Sequence, residues 1–142
     1  MSLNKMSEIV RDTILDIARK YSVFPVLKKD GSDEFVKNLM LQLPNSRHFL
    51  YIRKEGLASN TVGMPNYFQV AIHPELFNCE HIEPNYGIEE LINRRTKRNL
   101  FASSNYRGFP TFPGYNEPCA KCYKVKNFSA LESLFINLTK QL

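Results

Sequence analysis

The spacing of apolar residues changes several times along the chain. Val10, Ile14, Ile17, Ala18 and Tyr21 fall on one stripe of a 3.6-residue period, with Arg11, Arg19 and Lys20 off it. With Ser7 as N-cap, this predicts a helix over 8–21. The run 23–28 is short and β-rich but contains Pro25, which has no amide to donate, so it fits only an edge strand. Asp30-Gly31 marks a turn. Ser32, Asp33 and Glu34 then predict a helix start, with Phe35, Leu39 and Leu43 as its apolar face and Pro44-Asn45-Ser46 as its end. Phe49 and Tyr51 alternate with His48, Leu50 and Ile52, which predicts a strand. The run 67–72 predicts another, stopped by His73-Pro74, and 56–66 is the hairpin loop between them.

No period emerges over 75–85. Ile88, Leu91 and Ile92 predict a short helix after Gly87. The stretch 99–117 mixes Gly108, Pro110, Pro113 and Gly114 with Phe101, Tyr106, Phe109, Phe112 and Tyr115. It is expected as an irregular segment folded over the sheet, with one short strand. Residues 122–126 alternate as a strand. Ser129 and Glu132 have capping-box spacing, and Leu131, Leu134, Phe135 and Leu138 form an i, i+3, i+4, i+7 stripe for a final helix. A two-stranded hairpin is marginal alone and needs a further strand or a helix against it. The pattern therefore predicts one α+β domain over 1–142, an antiparallel β-sheet with an N-terminal and a C-terminal amphipathic helix, and loose residues 1–6.

Composition narrows the class. The chain has 142 residues, 43% hydrophobic and 23% charged, which excludes a wholly disordered chain. No apolar run reaches the roughly 18 residues of a membrane span. The N-terminus lacks the apolar run of a signal peptide, and three cysteines make a poor disulfide framework, so a cytoplasmic protein is expected. The net charge of +5 is unevenly spread: 93–116 carries five basic residues and no acidic one.

Several short motifs are shared with a known family. The stretch 67–76 (YFQVAIHPEL), the pair Phe109-Pro110, and 123–138 (YKVKNFSALESLFINL) resemble the YgaC-like bacterial proteins over roughly residues 48–138. The matching residues are Ile72, His73 and Pro74, then Phe109 and Pro110, then Ser129, Leu131, Leu134 and Phe135. The resemblance implies an antiparallel sheet with helices at both chain ends, similar to the N-terminal domain of TfoX competence regulators and to secretion chaperones. It implies no established activity. The longer 30–46 segment, the 94–98 basic cluster and the paired cysteines depart from the family pattern.

Two constellations carry candidate chemistry. His81-Ile82-Glu83 and Pro118-Cys119-Ala120-Lys121-Cys122 look like the zinc nucleobase-deaminase signature. There His81, Cys119 and Cys122 would hold zinc and Glu83 would move protons. Pro84 opposes this, because it biases Glu83 away from the helical conformation the site needs. Cys79, His81, Cys119 and Cys122 would alternatively form a structural zinc site, against the simpler reading of unliganded thiols. A redox role for Cys119 and Cys122 would require a helix N-terminus, whereas they begin a strand.

The second constellation is Arg94, Arg95, Lys97 and Arg98, with Tyr106 and Arg107 beyond. Arginines hold phosphates and exposed aromatics stack on bases, whereas the plain alternative is a solvated helix face followed by core aromatics. His48 and His73 are expected as hydrogen-bonded structural residues. The leading expectation is a small binding or regulatory module without catalysis or cofactor, whose partner is nucleic acid or another acidic molecule. A protein-interaction domain that self-associates, for example as a homodimer, is the second. A zinc-binding protein or zinc hydrolase is the third.

Overall fold

In the computed structural model the residues described are 8–33, 38–44, 48–53, 68–75 and 87–140. The expectations for residues 1–6, Ser7, the loop 56–66, Cys79, His81 and Glu83 lie outside them. The first helix, α1 (Glu8–Arg19), buries Val10, Ile14, Leu15, Ile17 and Ala18. Its regular part stops at Arg19, two residues short of the expected end, and a Schellman motif closes it with Tyr21 as the C-cap. Ser22 adopts a left-handed φ of 59°, Ser22 N donates to Arg19 O at 3.2 Å, and Val23 N donates to Ala18 O at 3.0 Å.

Seven strands follow: β1 (Phe24–Pro25), β2 (Asn38–Gln42), β3 (Phe49–Arg53), β4 (Phe68–Ile72), β5 (Ile88–Glu90), β6 (Phe101–Ala102) and β7 (Cys119–Val125). They pair antiparallel in the order β1-β2-β3-β4-β7-β5, and β6 also pairs with β7. The proline-containing β1 lies at the edge, as its missing donor requires. The second helix, α2 (Phe128–Lys140), closes the chain. The fold is α+β with an antiparallel sheet and a helix at each chain end. No helix among the described residues is long and apolar enough to cross a membrane.

Four local expectations are corrected. The helix expected from Ser32 is instead strand β2 over its described part. Leu39 and Leu43 fit a helical spacing, but Leu41 between them completes a period of two, and all three are buried at 1% exposure or less. Ser32 serves a turn, its amide donating to Asp30 Oδ1 at 2.9 Å, and Asp33 bridges Leu27. Arg11 pairs with Asp33 and so ties α1 to this turn. The helix expected after Gly87 is strand β5, paired with β7 through Ile88↔Val125. The cap of α2 is Asn127, whose Oδ1 accepts from Ala130 N at 2.8 Å, and not Ser129. Glu132 instead meets Lys20 Nζ at 3.3 Å, linking the two helices. Strand β7 also begins three residues earlier than the alternation suggested, at Cys119.

The core lies between the helices and one sheet face. Leu39, Leu41, Leu50, Ile52, Val70, Ile72, Tyr123 and Val125 point there and meet Ile14, Leu131, Leu134, Phe135 and Leu138. The opposite face is also covered. Its central rank, Met40, Tyr51, Ala71 and Cys122, is aligned across four strands by register and packs under Phe109, Phe101 and Tyr106. The segment 99–117 is thus a third layer, as expected, with β6 as its short strand.

Candidate binding face on the outer layer

The outer layer is pinned at several points. Ser103 N donates to Pro118 O at 2.9 Å and Cys119 N to Pro110 O at 2.8 Å. The Tyr51 hydroxyl donates to Arg107 O at 2.9 Å. Phe109 stacks on Phe49 with ring centroids 5.5 Å apart and sits 5.4 Å from Tyr51. Gly108 makes this approach possible. Its φ is +84°, and a Cβ placed there would lie 2.5 Å from Phe49 Cζ. Burial raises the Tyr51 phenol to about 12 despite the nearby Arg107 charge. Tyr106 is raised further, first by burial and then by Cys122, whose Sγ lies 3.6 Å from its hydroxyl.

The basic cluster lies on a hairpin, not on a helix face. Asn93 organises it. Its amide donates to Arg98 O and its carbonyl accepts from Lys97 N, both at 2.8 Å. Its side chain accepts from Arg95 N at 2.9 Å and donates to Leu100 O at 3.3 Å. Lys97 takes a left-handed φ of 61°. Arg94, Arg95, Lys97 and Arg98 are all exposed. Among the described residues, none of them has an acidic partner within 4.0 Å. Between β5 and β6, Asn99 Oδ1 takes the amide of Cys122 at 2.8 Å, replacing a strand partner where the hairpin departs. Lys97, Arg98 and Lys121 line an open groove together with Leu100, Phe112 and the carboxylate-bearing Glu75 and Glu90.

Tyr106 does not join these cations on an exposed surface. It is half-buried against Tyr51 and Phe109, with ring centroids 6.0 Å from each. Phe109 is buried, and Arg107 is exposed next to it. The expected mixture of cations and free aromatic faces is therefore split, with the cations at the tip and the larger rings turned inward.

Beside Tyr106 lies a cleft of about 370 Å³, which the sequence reading did not single out. Asn38, Arg53 and Gln69 reach it from β2, β3 and β4, and Ala71 with Tyr51 forms its floor. Phe101, Ser103, Asn105 and Tyr106 supply the far wall. The available signal was a polar residue alternating with core residues, which by itself predicts only a solvent-facing strand side. His48 and His73 form a smaller group, with rings 4.9 Å apart in an edge-to-face arrangement. His73 Nδ1 accepts from Glu75 N at 3.2 Å.

The cysteine pair is not arranged as a chelate. Residues three apart on a strand point to opposite faces, so Cys119 and Cys122 diverge across β7, and both are buried. Burial raises the Cys122 thiol to about 11, only partly opposed by hydrogen bonds from Tyr106 and Gln69. Among the described residues, no three His, Cys, Asp or Glu side chains converge as metal ligands. No protein-family model, curated protein or solved structure matches this chain.

Proposed function

We propose that this protein is a small binding module without a catalytic role, and that its 93–98 hairpin holds a polyanion, with nucleic acid as the partner. The observation that carries this reading is the cluster of four exposed cations on a turn fixed by Asn93, without acidic partners among the described residues. A turn with a fixed backbone presents its cations together, and guanidinium groups bind phosphate oxygens in bidentate fashion. The inward turn of Tyr106 and Phe109 favours contact with the phosphate backbone over base stacking. The buried thiols support a binding role over a nucleophilic one.

The test is retention on duplex DNA as salt is varied. Four phosphate contacts give a slope of log K against log salt of about −3.6, and Arg94→Glu with Arg95→Glu should reduce its magnitude by about 1.8 or more. Circular dichroism of the variant should match that of the parent. Salt-independent retention of the parent, or unchanged retention of a folded variant, would refute the reading.

A further inference from the structure

The hairpin that carries the basic cluster holds one residue in a conformation its side chain disfavours. Lys97 has a φ of 61°, in the left-handed region where a Cβ crowds the following carbonyl oxygen. Among the described residues, the chain meets this demand elsewhere with glycine, at Gly31, Gly87, Gly108 and Gly114, or with a short side chain at Ser22. Among these positions Lys97 is the only long side chain. We infer that Lys97 contacts the polyanion directly, as a cation kept where glycine or asparagine would be more stable. That role rests on the reading of the 93–98 hairpin as a polyanion site.

The turn imposes the conformation, and the lysine does not. Lys97 N donates to Asn93 O at 2.8 Å, the bond spanning one helical turn that a left-handed last residue closes. Asn93 N donates to Arg98 O at 2.8 Å, which brings the chain back into a bridge between these two residues. The Asn93 side chain fixes the remainder through Arg95 N and Leu100 O. None of these four bonds uses the side chain at 97, so the turn survives its replacement.

No described residue offsets the cost. Lys97 is exposed, and its ammonium has no acidic partner within 4.0 Å among the described residues. Glu75 and Glu90 line the same groove without pairing with it. Its charged neighbours in sequence are Arg94, Arg95 and Arg98, so like charges oppose the turn as well. Backbone strain that the surrounding structure does not explain points to function. A polyanion cancels the repulsion and gives the ammonium a partner. Glycine at 97 would relieve the strain but leave a phosphate without its cation.

Three variants at this position separate charge from strain. Lys97→Asn removes the charge and tolerates the left-handed φ, Lys97→Gln removes the charge alone, and Lys97→Arg keeps both. In urea unfolding, the midpoint of Lys97→Asn should exceed that of Lys97→Gln by about 0.3 M, and Lys97→Arg should match the parent. In retention on duplex DNA, Lys97→Asn and Lys97→Gln should each reduce the magnitude of the salt slope by about 0.9. Each should also weaken retention about five- to tenfold at 0.1 M salt, while Lys97→Arg keeps the parent values. Equal midpoints for Lys97→Asn and Lys97→Gln would overturn the inference, as would parent-like retention of either folded variant. If retention of the parent itself ignores salt, the polyanion reading falls and the Lys97 contact falls with it. If retention responds to Arg94→Glu with Arg95→Glu but not to Lys97→Asn, the Lys97 contact alone is refuted.

Discussion

Gly108→Ala tests the seating of the outer layer on the sheet. Two costs add at this position. A left-handed φ of +84° disfavours any residue with a Cβ, by about 1–2 kcal/mol. The new methyl would lie 2.5 Å from Phe49 Cζ and 3.3 Å from Cε1. Carbon atoms prefer about 3.5–4.0 Å, so the ring must retreat by about 1 Å. Phe49 cannot retreat alone, because it stacks on Phe109 and meets Tyr51 edge-on at 5.6 Å. Overpacking of this kind costs about 1–3 kcal/mol. Loss of glycine freedom in the unfolded chain returns about 0.4–1 kcal/mol. The expected net loss is about 2–4 kcal/mol.

Gly114→Ala is the internal control. Its φ is +88°, but nothing lies within 4 Å of the added Cβ, so it should lose only about 1 kcal/mol. Urea unfolding followed by circular dichroism measures both, since the chain has no tryptophan to report by fluorescence. Phe49→Leu should be less damaging in the Gly108→Ala background than in the parent, because it removes the clash. Equal losses for the two glycine variants, or strict additivity with Phe49→Leu, would refute the stacked outer layer.

Two further outcomes follow from named contacts. Asn127→Ala should cost about 1 kcal/mol by exposing the amide of Ala130, while Ser129→Ala should change stability by less than about 0.5 kcal/mol; urea midpoints of the pair decide which residue caps α2. Cys122 should make stability fall in alkali. Its thiol titrates at about 11 when folded against 9.0 as its ordinary value, so the unfolded chain releases its proton first. That contribution is fully present below pH 9.0 and is lost as pH rises through about 11. The drop in urea midpoint across this window should shrink in Cys122→Ala, and an unchanged drop would place the alkaline transition elsewhere.

Local periodicity identified the elements whose burial is one-sided and continuous. The stripe Leu131–Leu138 is completely buried because α2 packs a single face, so a helical period has one interpretation there. The two misread segments share a different cause. Leu39 and Leu43 satisfy a helix and a strand equally, and only Leu41 separates the two. Ile88 and Leu91 look like one helical face, yet Ile88 packs toward the helices and Leu91 toward the outer layer. Three residues of separation reverse the side chain on a strand. What selects the strand is β7, more than thirty residues downstream, whose backbone pairs with β5. Propensity cannot register a partner so distant in sequence.

The same distinction governs the candidate sites. The hairpin cations were legible because charge clustered within five positions needs no tertiary contact to be noticed. The cleft was not, because Asn38, Arg53, Gln69 and Ser103 come from separate strands and a loop, and each alone fits the polar side of an amphipathic element. Tyr106 shows how the two are connected. Read within its segment it is a ring beside arginines, and stacking on a base is the natural expectation. Folded, it spends one face on Tyr51 and Phe109 and lines the cleft. The aromatic segment therefore covers one rank of the sheet and stops where Arg53 and Gln69 begin. Had Tyr106 been a free stacking residue, it would not cover Cys122, whose Sγ lies 3.6 Å from its hydroxyl. Its inward packing therefore contributes both to the burial of the thiol and to the wall of the cleft.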